Sequence, residues 1–154
     1  MRLVNFTFDS SVELGFSGRR RYLDLHNCFE WQGLSYRPEA RRIEMSWVGF
    51  PSELPQPTSR FSVILVFRGV SSFTVCPRDP EMPYTEDSCL HAVTFTPPEH
   101  ASDFDCEFRD YRSDSEHITF VFQSGFGLKI WAEEVELIYD RAPNTALEPT
   151  PTAP

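Results

Sequence analysis

Residues 42–48, Arg42-Ile43-Glu44-Met45-Ser46-Trp47-Val48, alternate polar and apolar side chains without a break. In an extended strand successive side chains point to opposite faces, so Ile43, Met45 and Trp47 share one face while Glu44 and Ser46 occupy the other. The segment reads as a half-buried strand, and the same period of two recurs on both sides of it. Upstream, Tyr22 to Trp31 puts Leu23, Leu25, Phe29 and Trp31 on one side, Gln32-Gly33 predicts a turn, and Leu34 to Tyr36 runs on to Pro38. Downstream, Pro51, Pro55 and Pro57 make Phe50 to Pro57 a rigid connection.

The run Phe61-Ser62-Val63-Ile64-Leu65-Val66-Phe67 is nearly continuous in β-branched and aromatic residues, the pattern of a central strand covered on both faces. Gly69 interrupts it, which predicts a change of direction or a bulge before Val70 to Val75. Pro77, Pro80 and Pro83 then impose the longest candidate functional loop, solvated by Glu81, Glu86 and Asp87. Three alternating segments follow: Cys89 to Thr96, Phe104 to Tyr111 and His117 to Gln123. Ser124-Gly125-Phe126-Gly127 supplies a turn to Leu128. Leu128 to Tyr139 predicts one strand with a bulge at Glu133-Glu134, although Leu128, Trp131, Val135 and Ile138 also form the stripe of a short helix near the C-terminus.

These segments predict an all-β chain, a single antiparallel β-sandwich or flattened barrel of about eight strands. The 154 residues suit one domain. Residues 1–141 form that β domain, and residues 142–154, rich in Pro and Thr, read as an extended or disordered tail, since they offer too little apolar surface to offset the entropy of ordering.

The tail run Asn144-Thr145-Ala146-Leu147-Glu148-Pro149-Thr150-Pro151 resembles the read-through product of an integron recombination site, carried by many mobile gene-cassette proteins. The body is more loosely similar to small all-β proteins with a Phe-x-Gly-Val segment, here Phe67-Arg68-Gly69-Val70, and a Ser-Gly turn before the last strand. The cassette resemblance implies a bacterial accessory protein. Neither resemblance implies an activity.

Net charge is −9, split between +1 in residues 1–60 and −10 in residues 61–154. That field argues against nucleic acid or an anionic membrane as the main partner. Without a long apolar leader or a spanning segment, and with four cysteines in a chain large enough to fold without staples, the expected location is cytoplasmic.

Nothing in the chain reaches the level of a catalytic signature. There is no Gly-x-Ser-x-Gly, and phosphate-loop and dinucleotide patterns are absent from a chain with seven glycines. Asp110 to Glu116 lacks the glycine and oxygen spacing of an EF-hand loop. Carboxylates recur in pairs, Asp103 with Asp105, Asp114 with Glu116, and Glu133 with Glu134 and Glu136, most simply as solvated hairpin ends. No cysteine sits at an evident helix N-terminus, where its pKa would fall.

Two constellations carry chemistry. His26-Asn27-Cys28 and Cys89-Leu90-His91 are mirror images, and if both lay in neighbouring strands their thiols and imidazoles would gather into an N2S2 set of the kind zinc takes. A flat sheet face makes a poor tetrahedron, so packed thiols are the simpler reading, and neither metal nor cofactor is expected. Arg19, Arg20 and Arg21, joined across a hairpin by Arg41 and Arg42, would place five guanidinium groups at one sheet end. Such a cluster suits a small anionic ligand or an acidic protein partner, against a plain solvated loop balanced by Glu39 and Glu44.

The functional expectation is a noncatalytic ligand-binding or protein-interaction module, with a small enzyme acting on an anionic metabolite as the alternative. Self-association, most simply as a homodimer, is expected because edge strands need covering. Lys129 is the only lysine available to blunt them, and Trp31, Trp47, Phe50 and Trp131 supply interface aromatics.

Overall fold

The computed structural model describes residues 1–8, 13–16, 22–50, 61–100, 104 and 114–141. Its strands are β1 (Arg2–Val4), β2 (Phe6–Phe8), β3 (Glu13–Phe16), β4 (Tyr22–Asp24), β5 (Phe29–Arg37), β6 (Arg42–Gly49), β7 (Phe61–Arg68), β8 (Ser72–Cys76), β9 (Leu90–Thr96), β10 (His117–Phe122), β11 (Gly127–Trp131) and β12 (Glu134–Arg141). They form a five-stranded sheet in the order β1-β12-β7-β6-β5, a four-stranded sheet β8-β11-β10-β9 and a three-stranded sheet β2-β3-β4. The protein is an all-β sandwich, not a closed barrel. Every described pairing is antiparallel except that of β1 with β12, a parallel edge that the reading of a purely antiparallel sheet did not contain.

The alternation read in residues 42–48 is realised side chain by side chain. Ile43, Met45 and Trp47 are fully buried, and their register partners Phe67, Leu65 and Val63 on β7 point the same way. The four-stranded sheet meets this face with Ile118, Phe120 and Phe122 of β10 and Leu128 and Ile130 of β11. Phe120 stands at the centre, its ring centroid 6.2 Å from that of Trp47 and 6.1 Å from that of Phe67. The three-stranded sheet adds Phe6, Leu14 and Leu23 to the core and meets β9 through an edge-on contact of Phe8 with Phe95 at 5.4 Å.

Three local readings change. Gln32-Gly33 is not a turn but a bulge inside β5, where the register with β6 slips between Trp31 and Gly33. The turn before β5 lies instead at residues 25–28 and is set by Asp24. Its Oδ1 accepts from the backbone N–H of His26 and Asn27 at 3.0 and 2.9 Å, and its carbonyl accepts from Cys28 N–H at 3.0 Å. The apparent bulge at Glu133-Glu134 is a crossing between sheets: β11 pairs with β8 and β10, whereas β12 pairs with β7 and β1. No short helix occupies this segment.

Gly69 does change the chain direction, carrying β7 of one sheet into β8 of the other. The two crossings lie side by side, with Glu133 N–H donating to Arg68 O at 3.0 Å and Ser71 N–H to Trp131 O at 3.2 Å. Gly69 has φ +68°, a conformation that costs other residues strain, and a Cβ there would stand 2.5 Å from Glu133 Cδ. Arg41 closes the corner by donating from Nε to Val70 O and from Nη2 to Gly69 O, at 3.2 and 3.0 Å.

The expected strand Phe104 to Tyr111 lies outside the described residues apart from Phe104, as does the tail from residue 142. No helix among the described residues is long and apolar enough to cross a membrane.

Candidate functional site

In the four-stranded sheet β9, β10 and β11 are largely buried on both faces, whereas Thr74 and Val75 of β8 are exposed. The sheet's outer face carries the register row Thr74, Lys129, Thr119 and Thr94, flanked by Thr96 and His117. Polar residues alternate outward as a half-buried sheet requires, yet Lys129 is 0% exposed and His117 only 7%. The cover comes from the connection after β9. Lys129 Nζ donates to His100 O at 2.8 Å and lies 4.9 Å from the centroid of the Phe104 ring. Gly127 admits that ring, because a Cβ there would stand 2.5 Å from Phe104 Cδ1. Thr96 and Thr119 satisfy each other through their hydroxyls at 2.7 Å.

Where this polar layer reaches the edge of the cover, a cleft of about 310 Å³ opens, lined by Ser71, Ser72, Pro98, Ser115, His117 and Trp131. Trp131 and Ser72 are register partners, which places the indole beside the two serines that follow the Gly69 crossing. The indole N–H donates to Asp114 O at 3.3 Å. Burial holds His117 below its usual pKa, the neighbouring Lys129 charge lowers it further, and a hydrogen bond to the Thr96 backbone works in the opposite direction. His117 Nδ1 is buried without a hydrogen-bond partner. Among the described residues no charged side chain lines the cleft.

The mirrored cysteine–histidine pairs do not form the N2S2 set. Asp24 holds His26 to Cys28 in a turn, so the same-face rule for a strand does not apply there, and His91 is exposed on β9. His26 and Cys89 do meet, with Nδ1 and Sγ 3.8 Å apart. This is not a nucleophile–base pair. The same Nδ1 bonds to the Leu90 carbonyl, which only accepts, so that nitrogen carries its proton and has no lone pair for the thiol. Burial, with Glu86 adding repulsion, pushes the Cys89 thiol up. Among the described residues no group of three or more His, Cys, Asp or Glu side chains is placed to hold a metal ion.

Of the five arginines, Arg19, Arg20 and Arg21 lie outside the described residues. Arg41 serves the Gly69 corner and pairs with Glu133 at 3.2 Å, and Arg42 pairs with Glu44 at 2.7 Å. The next row partner, Arg68, reaches Glu134 at 3.3 Å and Glu136 at 2.7 Å, with Arg2 also on Glu134. The carboxylate group Glu133, Glu134 and Glu136 is therefore the counter-charge of an arginine row across the outer sheet face.

The proline-rich loop is ordered around Arg78. Nε donates to Asp87 Oδ1 at 2.9 Å, the guanidinium lies 4.2 Å from the Tyr84 ring centroid, and a further bond reaches Met82 O. The aromatics read as interface material divide. Trp47 is in the core, Trp31 packs on Phe122 and Phe126 at 4.6 and 5.6 Å, Trp131 lines the cleft, and Phe50 is partly exposed. Lys129 is buried on the outer face of the four-stranded sheet, on the inner strand β11, and protects no edge.

The sequence pointed to Lys129 only as a lysine that could blunt an edge, and did not point to His117. The one signal was Lys129 as the only lysine of the chain, placed between Leu128 and Ile130 in a strand that otherwise reads as core. Comparison with family models, curated proteins and solved structures gave no match.

Proposed function

We propose that this protein is a noncatalytic ligand-binding module and that the Trp131–His117 cleft is its binding site. The observation that carries the reading is a cleft that presents an indole and serine hydroxyls beside the buried His117. The rest of the constellation favours binding over chemistry. Burial favours neutral His117, no described residue of the cleft lining is a carboxylate, and the His26–Cys89 contact lacks a base. Arg41 and Arg42 already carry carboxylate partners, so an anionic ligand finds less unspent charge there than five clustered arginines suggested. The cassette-like tail fits a bacterial accessory role for such a module.

The test is a fragment screen followed by two-dimensional NMR of labelled protein. Fragments are expected to shift the Trp131 indole resonance together with the Ser72 and Ser115 amides. Fragments that map elsewhere would refute the site. Turnover of ester or phosphate substrates that is lost in His117→Gln would replace the module with the small-enzyme reading.

A further inference from the structure

We propose that two copies of this chain pair through the outer edge of β5, antiparallel and about a two-fold axis at Leu34, so that their five-stranded sheets join into one. This surface stands apart from the cleft and from whatever the cleft binds.

The edge comes first. β5 ends the five-stranded sheet and, among the described residues, pairs only with β6. It is the longest of the edge strands of the two main sheets, nine residues against three in β1, five in β8 and seven in β9. Its Glu30, Gln32, Ser35, Tyr36 and Arg37 are exposed. Trp31, Leu34 and Tyr36 stand opposite Trp47, Met45 and Ile43, each fully buried, and so belong to the core face. Glu30, Gly33, Ser35 and Arg37 belong to the outer face. Tyr36 is nonetheless 43% exposed, resting edge-on against Phe73 of β8 at 5.5 Å, so apolar surface of the core side is left open along this margin.

Register comes second. An antiparallel pair about a two-fold axis joins residues placed symmetrically around that axis, and directly opposite residues share a face. In a regular strand Glu30 and Arg37, an odd number of residues apart, lie on opposite faces and could not meet. β5 is not regular. Gln32 is its extra residue, and the slip it causes puts both charges on the outer face. A bulge ordinarily blunts an edge, but two bulges placed symmetrically about Leu34 preserve the match. Glu30 then faces Arg37 of the second copy, Trp31 faces its Tyr36, Gly33 its Ser35, and Leu34 its Leu34. Every one of these pairs shares a face.

Charge selects the occupant. Glu30 against Arg37 occurs twice across the axis, a complementarity that the strand has with itself and not with an arbitrary peptide. Neither residue has an ion pair among the described residues. Glu30 has only long contacts, from Gln32 Nε2 at 3.4 Å and Ser88 Oγ at 3.5 Å. Trp31 against Tyr36 adds an aromatic cross-strand pair. The edge of β8, Ser72-Phe73-Thr74-Val75-Cys76, holds no charge that would fix a register.

The test is sedimentation equilibrium of the full chain from about 1 µM to about 1 mM, in about 0.15 M salt, where repulsion between chains at −9 is screened beyond about 8 Å. A single strand pair should give a dimer with a Kd of about 10–100 µM. Glu30→Arg and Arg37→Glu, both at exposed positions, should each weaken it about tenfold or more, because each reversal sets like charges together twice. The double variant carrying both reversals should return the Kd to within about threefold of the original. Within one chain the two side chains stand about 20 Å apart along the strand, so such a rescue arises only between copies. A monomer throughout the range overturns the proposal. So does a dimer indifferent to both reversals, or one that the double variant fails to restore.

Discussion

Arg41 and Glu133 face each other across the two places where the chain passes from one sheet to the other, with Nη2 3.2 Å from Oε1. The ion pair is the lesser part of the contact. Both side chains are more than half exposed, and pairs of that kind contribute about 0–1 kcal/mol. The two bonds from the same guanidinium to Val70 O and Gly69 O satisfy backbone acceptors at a corner where the strand ladder cannot. Arg41→Ala is therefore expected to lower stability to urea by about 1–2 kcal/mol and Glu133→Ala by no more than about 0.5. High salt should shrink the second loss and leave most of the first. Equal losses from both variants would mean that the pair, not the corner, is what Arg41 holds.

Gly127 tests the cover over the polar layer. Its Cβ would meet Phe104 Cδ1 at 2.5 Å and Cys76 Cβ at 3.2 Å, so Gly127→Ala overpacks a site with a ring on one side and a strand on the other. The expected loss is about 1–3 kcal/mol. If the ring is the obstacle, adding Phe104→Leu should recover part of that loss, a coupling expected only for residues in contact. A double variant whose losses simply add would place the strain elsewhere.

The strands were legible because burial of one face writes itself into period two, as at Ile43, Met45 and Trp47. The partition of strands between sheets was not. A crossing and a bulge both break the alternation by one residue, and Glu133-Glu134 looks the same in sequence whether β12 continues β11 or leaves for the other sheet. Asp24 illustrates a second limit. The apolar side chains of Leu23, Leu25 and Phe29 all reach the core, as alternation requires, but the Asp24 side chain folds the chain into a turn between them, and the His26–Cys28 same-face argument goes with it. The cleft was hidden for a third reason. Thr94, Thr96, Thr119, Lys129 and His117 carry the polar half of the alternation and read as solvent-facing, because only the tertiary structure shows Lys129 Nζ capped by His100 and Phe104.

Cys89 should be a slow nucleophile despite its histidine neighbour. Burial and Glu86 both raise its pKa, leaving less thiolate at neutral pH. Alkylation by iodoacetamide at pH 7.5, followed residue by residue by mass spectrometry, is expected to be slower at Cys89 than for a free thiol in a short peptide. Glu86→Gln should speed it modestly. His26→Ala should bring no slowing of the kind that loss of a base would cause, since Nδ1 is committed to Leu90 O. A His26→Ala variant with markedly slower alkylation would restore the nucleophile–base reading.

His117 sets a pH dependence whose sign follows from its surroundings. Its folded pKa lies below the ordinary 6.5, because burial and the Lys129 charge disfavour the imidazolium. Between the folded and unfolded values the unfolded chain binds more protons, so the stability this residue contributes is fully present above about pH 6.5 and falls as the pH drops toward the folded value. Unfolding by urea is thus expected to need less denaturant at pH 5.5 than at pH 7.5, and His117→Asn should flatten that difference while shifting both midpoints. Asp87 works in a separate window. Its carboxylate is held below 3.8 by the bond from Arg78 and then by Ser124, so its contribution is present above about pH 4 and is lost only in stronger acid. A variant lacking His117 that keeps the full loss between pH 7.5 and 5.5 would show that the imidazole is not the group being protonated, and that the cleft wall is already solvated enough to carry its charge.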